Sequence, residues 1–159
     1  MGAMNTLKKE VNNIMEIKIK RLRDSAIIPT RGSDESAGYD LYANIDYGIT
    51  IPPHTTSKIP TGLSMELPKG YFGGIFARSG LATKKGLRPS NCVGVCDSDY
   101  RGEYIVALHN DSDSPFSVEP NERIAQLIVI PFMELDFKEV DELTDTDRGN
   151  GGFGSTGRG

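Results

Sequence analysis

An all-β fold follows from three features of this sequence. Short runs of alternating apolar and polar residues recur along it, 18 glycines and 9 prolines punctuate them, and helical spacing is nearly absent. Many short strands with frequent turn signals form a sandwich, a barrel or a jelly roll. No internal repeat is visible. With 159 residues, 37% apolar and 25% charged, the chain is one soluble, thinly cored domain. A dimer or trimer that buries further surface would help such a chain.

Taken in order, residues 1–13 form an N-terminal extension whose Leu7 and Val11, with Ile14 and Met15, fit a helical face only weakly. Met1-Gly2-Ala3 reads as a leftover of expression. Ile17-Lys18-Ile19-Lys20 alternates as a half-buried strand does. Ile28 to Ser33 is turn chemistry. Ser36 to Ala43 alternates again, with Asp40 and Tyr42 facing one way and Tyr39, Leu41 and Ala43 the other. Pro52-Pro53 breaks the next run, and Leu63, Met65 and Leu67 alternate up to a turn at Pro68-Lys69-Gly70. Tyr71 to Ala77 is an apolar run with paired glycines. Ser79 to Lys85 predicts one short helix, with Ser79 near its cap and Gly86 just past its end. Asn91 to Leu108 predicts two strands around a charged turn, Phe116 to Val118 a short strand, and Arg123 to Phe132 a long one.

Composition excludes several functions. The net charge is −4 and no long basic run occurs, so a duplex nucleic-acid partner is not expected. No stretch approaches the ~18 apolar residues of a membrane span, and Lys8, Lys9 and Glu10 interrupt any leader-like segment. In a straight strand Cys92 and Cys96 would lie about 13 Å apart, too far for a disulfide. With His54 and His109 they lack zinc-ligand spacing, so they read as small buried hydrophobes in a reducing, cytoplasmic compartment.

Five polar or glycine-rich stretches carry the functional information. In Ala37 to Ala43, Asp40 interrupts a strand; it is either an outward-facing carboxylate or a group near a metal's water shell. In Phe76 to Ala82, Arg78, Ser79 and Gly80 sit where a strand enters a helix. They make either an ordinary cap with a surface arginine or an anion site on unpaired N–H groups. Asn91 to Glu103 contains Asp97 in a charged turn. If the segment is a tight hairpin, its backbone can read a base edge with Asn91 at the mouth. In Glu122 to Val129, Gln126 is an amide inside an apolar run, bonded to backbone or facing a ligand. The tail, Arg148 to Gly159, is too rich in glycine to hold one conformation by itself. Phe153 is a lone aromatic there, which suits an arm that orders over a ligand. Gly152 to Gly157 matches G-x-G-x-x-G, but only two residues follow, so no helix can complete a dinucleotide fingerprint.

In this order, the five stretches resemble the five motifs of the trimeric deoxyuridine triphosphatases (dUTP pyrophosphatases), from about Ile17 to the C-terminus. The resemblance implies a jelly-roll-like β-clip, or distorted barrel, and a homotrimer with active sites at subunit interfaces. Residues 14–140 would form the β domain, and residues 141–159 a flexible arm exchanged to a neighbour. The chain from Asp136 onward has the reach, at ~3.3–3.6 Å per extended residue. One subunit would give Asp40, Arg78 and Gln126, a second the Asp97 hairpin, and a third the arm.

The reaction implied is hydrolysis of dUTP to dUMP and pyrophosphate, which lowers dUTP and supplies dUMP for thymidylate synthesis. Asp97 would hold and deprotonate the attacking water. An unperturbed aspartate, pKa ~3.9, is a weak base, so orienting the water carries much of that role. Asn91, Gly94, Val95 and Cys96 would bond uracil through the hairpin. Tyr100 would pack on the deoxyribose and leave no room for a 2′-hydroxyl, with Ile105 beside it. Arg78, Ser79, Gly80 and Gln126 would bind phosphates. Arg148, Phe153, Gly154, Ser155 and Thr156 would close over the nucleotide. Mg2+ would be held by phosphates and waters, with Asp40 in its outer shell and no direct protein ligand. Two rivals are the related dCTP deaminases, sometimes bifunctional, and phage-type dUTP-dependent regulatory binders. The complete tail and the Asp97/Tyr100 pair favour the triphosphatase. The short spacing from Tyr104 to Glu122 leaves no room for the insertion such regulators carry.

Overall fold

The computed structural model describes residues 14–152. The extension at 1–13 and the predicted contacts of Phe153, Gly154, Ser155 and Thr156 lie outside the described residues.

Twelve strands and one helix are described. In chain order they are β1 (Lys18–Arg21), β2 (Thr30–Arg31), β3 (Tyr39–Tyr42), β4 (Ile49–Ile51), β5 (Thr56–Pro60), β6 (Leu63–Glu66), β7 (Tyr71–Phe76), α1 (Ser79–Lys85), β8 (Leu87–Pro89), β9 (Val93–Cys96), β10 (Ile105–Asn110), β11 (Phe116–Val118) and β12 (Arg123–Pro131). All pairings are antiparallel. They give a five-stranded sheet β2-β3-β12-β7-β9, a three-stranded sheet β5-β10-β8, and the pairs β1-β6 and β11-β4. This is the all-β fold that the alternating pattern implies, in the jelly-roll-like form that the resemblance implies.

The sheets close on one core that contains Leu41, Ile51, Ile59, Leu63, Leu108 and Ile124, each at most 1% exposed. Alternation holds where one face is buried. Leu41 and Ala43 point inward, Asp40 and Tyr42 do not. Tyr39, expected with the inward set, is exposed, because β3 starts there at the rim of an apolar cleft. Strand β12 breaks strict alternation by a bulge between Arg123 and Ala125. Two consecutive residues, Ile124 and Ala125, are therefore buried, and Gln126 emerges on the opposite side from Leu127.

The helix ends as predicted, with Gly86 at φ 68° as its C-cap. Its N-cap is Arg78, with Ser79 next to it as expected, and no side chain caps it. The expected Asn91–Asp97 hairpin is corrected. β9 pairs with β7, whereas β8 and β10 belong to another sheet. Asn91 and Cys92 form the turn between sheets: the Cys92 amide donates to the Pro89 carbonyl at 3.0 Å, and Cys92 has φ 63°. That corner also leaves Cys92 exposed, against its expected burial.

Asn110 locks the far end of β10. It is fully buried, donates to the carbonyls of Ile51 (3.1 Å) and Ser114 (2.8 Å), and accepts from the Ser112 amide at 3.0 Å. Asn110→Ala leaves those groups unpaired. It should cost about 3 kcal/mol of stability, read as a lower urea midpoint at unchanged slope.

Candidate functional site

The antiparallel register brings Asp40, Gln126 and Phe76 into one row, since Gln126 faces Asp40 on one side and Phe76 on the other. Arg78 follows two residues after Phe76, at the entrance to α1. Its Nε donates to Asp40 Oδ1 at 2.8 Å and its Nη1 to the Arg123 carbonyl at 3.2 Å. Arg123 Nη1 donates to the other Asp40 oxygen at 3.2 Å. One largely buried carboxylate, with its side chain 13% exposed, thus bridges two guanidinium groups. Ion pairs of this kind hold geometry more than they add stability.

Gln126 resolves toward backbone. Its Nε2 donates to the Ala77 carbonyl at 2.9 Å, which fixes the chain just before Arg78. Its Oε1 lies against Gly38, where a Cβ would collide with it. The glycine in Ala37-Gly38-Tyr39 is thereby explained: it makes room for the amide.

Ser79 and Gly80 are exposed at the uncapped start of α1, and a Cβ on Gly80 would meet nothing within 4 Å. Open N–H groups beside Arg78 suit an anion.

The second group of predicted residues lies along β9. As the terminal strand of its sheet, β9 keeps one row of backbone groups without a strand partner there. Gly94 is buried against Ile75, whereas Val95 is exposed and Asn91 stands near Gly94 in the preceding turn. Among the described residues the Asp97 carboxylate has no hydrogen-bond or ion-pair partner, and it opens into a cleft with Lys69, Asp99, Arg101 and Phe132. Burial, reinforced by the Asp97 carboxylate, pushes the Cys96 thiol up to about 11. It stays a neutral thiol at physiological pH. Burial also raises the neighbouring Tyr104 phenol. Tyr100 is exposed beside the loop, as is Ile105 at the start of β10.

These two groups do not meet within one chain. Cys96 is level with Gly73, so Asp97 lies about four residues from the Gln126–Phe76 row. That is about 13 Å along the strands plus two inter-strand steps of ~4.8 Å. Arg148 belongs to neither group: its Nε donates to the Gly151 carbonyl at 2.9 Å in an exposed turn.

The model of the family described as dUTPase matches residues 24–157. This chain belongs to the dUTPase family. It is 45% identical over 155 residues to the deoxyuridine 5′-triphosphate nucleotidohydrolase of Desulfitobacterium hafniense (strain DSM 10664 / DCB-2), covering 97% of this chain and 99% of the relative. With the enzyme of that name from Nautilia profundicola it shares 46% identity over 144 residues, 91% of this chain and 100% of the relative. Among solved structures, the Staphylococcus bacteriophage 80alpha dUTPase with dUPNHPP superposes with a TM-score of 0.81. That match has 27% identity and covers 90% of this chain and 99% of that one.

Within this dUTPase-family fold, sequence reasoning missed Arg123 as a functional neighbour. Its partner Asp40 is 83 residues away, and only the β3–β12 register reveals the pairing. The adjacency of Glu122-Arg123 to Gln126 was the available signal. Asp40→Asn keeps the shape but removes the charge that holds both arginines. It should lower stability by about 2 kcal/mol, measured by urea unfolding at pH 7.

Proposed function

We propose that this protein hydrolyses dUTP to dUMP and pyrophosphate, by in-line attack at the α-phosphorus of a water held by Asp97. The reading rests on membership of the dUTPase family, and the observation that carries it is the Asp97 carboxylate, which has no partner among the described residues, beside the open edge of β9. A carboxylate with no donor among the described residues is available to accept a water's hydrogen bonds, and positioning that water is where most of the rate gain lies. The backbone of Asn91, Gly94, Val95 and Cys96 would supply donors and acceptors for uracil. Tyr100 and Ile105 would wall the sugar.

The register argues for an interfacial site. One triphosphate cannot touch Asp97 and the Arg78 group of the same chain across that separation, so the Asp97 loop would work with Arg78, Ser79, Gly80 and Gln126 of another copy. Asp40 and Arg123 hold the Arg78 guanidinium, whose remaining N–H groups would stabilise phosphate charge in the transition state. Exposed apolar side chains support a homotrimer. Met133, Leu135 and Phe137 are 82%, 66% and 88% exposed on a segment without regular structure, a stretch that a neighbouring subunit would cover. Residues 141–159 would continue as the arm, with Arg148, Phe153, Gly154, Ser155 and Thr156 over the nucleotide. Residues 14–140 would be the catalytic domain. A cytoplasmic setting agrees with two unpaired cysteines and with no helix among the described residues long and apolar enough to cross a membrane.

Mg2+ fits the described residues through Asp40. Among the described residues no cluster of three or more His, Cys, Asp or Glu could hold a metal. Each Asp40 oxygen accepts one arginine donor at 2.8 or 3.2 Å and keeps a free lone pair. Asp40 can therefore receive a metal-bound water, and the direct ligands would be substrate oxygens and waters. When bound, Mg2+ would supply neutralisation of triphosphate charge.

The test is release of pyrophosphate and ammonia from dUTP, dCTP, dTTP and UTP in the presence of Mg2+. Pyrophosphate from dUTP alone is expected. Ammonia from dCTP, or binding of dUTP without product, would overturn the reading in favour of a deaminase or a regulator. Asp97→Asn should lower kcat roughly a hundredfold or more while a non-hydrolysable dUTP analogue binds within a few-fold of wild type.

A further inference from the structure

The Tyr100 ring does not project freely into solvent; it lies back over its own loop. Its amide donates to the Asp97 carbonyl at 3.1 Å, and its hydroxyl donates to the Glu103 carbonyl at 3.0 Å. The ring passes directly over residue 102. A Cβ placed on Gly102 would collide with the Tyr100 hydroxyl and would lie 2.5 Å from Cζ and 2.8 Å from Cε2. Gly102 does not have a positive φ, so its backbone would accept alanine readily. The space above it is what demands glycine.

The backbone beneath the ring cannot yield to such a Cβ. Ser64 Oγ donates to the Arg101 carbonyl at 2.7 Å, and Glu103 Oε1 accepts the Gly62 amide at 2.7 Å. The Tyr104 amide donates to the Leu63 carbonyl at 2.8 Å, and Thr61 Oγ1 donates to the Tyr104 carbonyl at 2.5 Å. The loop is fastened to β6 and the turn before it on both sides of Gly102, and Tyr104 is buried. Tyr100 is 44% exposed, so the ring is the part free to move.

We infer that Gly102 is a specificity-determining residue: it seats the Tyr100 ring so that the sugar wall stands too close for a 2′-hydroxyl. The inference rests on the proposed dUTP hydrolysis and on Tyr100 facing the deoxyribose. Gly102 acts through Tyr100 and touches no substrate itself. With alanine at 102 the ring is lifted off its seat, the bond to the Glu103 carbonyl breaks, and the wall no longer has one position. Ribonucleotide then enters where only deoxyribonucleotide fitted.

The experiment compares kcat/KM for dUTP and UTP in the wild type, Gly102→Ala and Tyr100→Phe, with thermal unfolding of each protein. Gly102→Ala should lower the dUTP-over-UTP preference by about tenfold or more, since discrimination by pocket shape against an analogue with one added hydroxyl is on the order of 10²-fold. Tyr100→Phe keeps the ring and loses its tether, so the preference should fall several-fold. A merely structural role for Gly102 would reduce both substrates alike and leave the ratio unchanged; that result overturns the inference. If Gly102→Ala does not fold, Tyr100→Phe decides: a lowered ratio supports the seat, and a wild-type ratio overturns it. Failure of the underlying reading looks different, because the wild type would then show no turnover of dUTP or no preference for it.

Discussion

The pairing of β12 with β3 on one side and β7 on the other is the constraint on which the rest depends. It places Asp40, Gln126 and Phe76 in one row, so that a carboxylate, an amide and the start of the Arg78 stretch converge from three distant parts of the chain. The bulge after Arg123 then lets Ile124 and Ala125 face the core together while Arg123 still reaches Asp40. Slipping the register by one residue would turn Gln126 inward and expose Leu127. Core packing and site geometry are thus fixed by the same ladder.

The same ladder sets the two ends of the proposed site apart. β9 joins the sheet beside β7, with its Asp97 end directed away from Arg78. In the proposed reading a monomer carries two half-sites. One would be the cationic corner at an uncapped helix start, and the other a carboxylate without a partner among the described residues, next to the edge of its sheet. Association of copies is the simplest way for both halves to meet one nucleotide, and the exposed apolar segment after β12 provides surface for it.

The fold was legible where local signals and tertiary burial agree. Helix α1 has the boundaries announced by Ser79 and Gly86, and β7 starts after Gly70 and ends at Phe76, one residue before the apolar run does. Strands β5 and β8 were not anticipated. Thr56–Pro60 has little alternation, and Leu87–Pro89 is three residues long; both exist because β10 pairs with them. The hairpin reading of Asn91–Asp97 failed for the same reason, since a strand's partner is a tertiary choice that a charged turn does not encode. Candidate site residues were legible as residue types in order. Their supports were not: Arg123 on Asp40, Gly38 under Gln126 and Gly102 under Tyr100 are contacts through space. Cys92 looked buried by composition and is exposed because it turns the corner between sheets.

The central claim is that catalysis needs the Asp97 loop of one copy and the Arg78 corner of another. The most direct test unfolds Asp97→Asn chains together with Arg78→Ala chains, refolds the mixture, and measures pyrophosphate release from dUTP. Each variant refolded alone serves as the control. An interfacial site predicts that the mixture regains activity, roughly a quarter of wild type when trimers form at random, because some interfaces pair an intact Asp97 with an intact Arg78. A mixture as inactive as either parent, with hybrid trimers present, would place both residues in one chain's site and contradict the account.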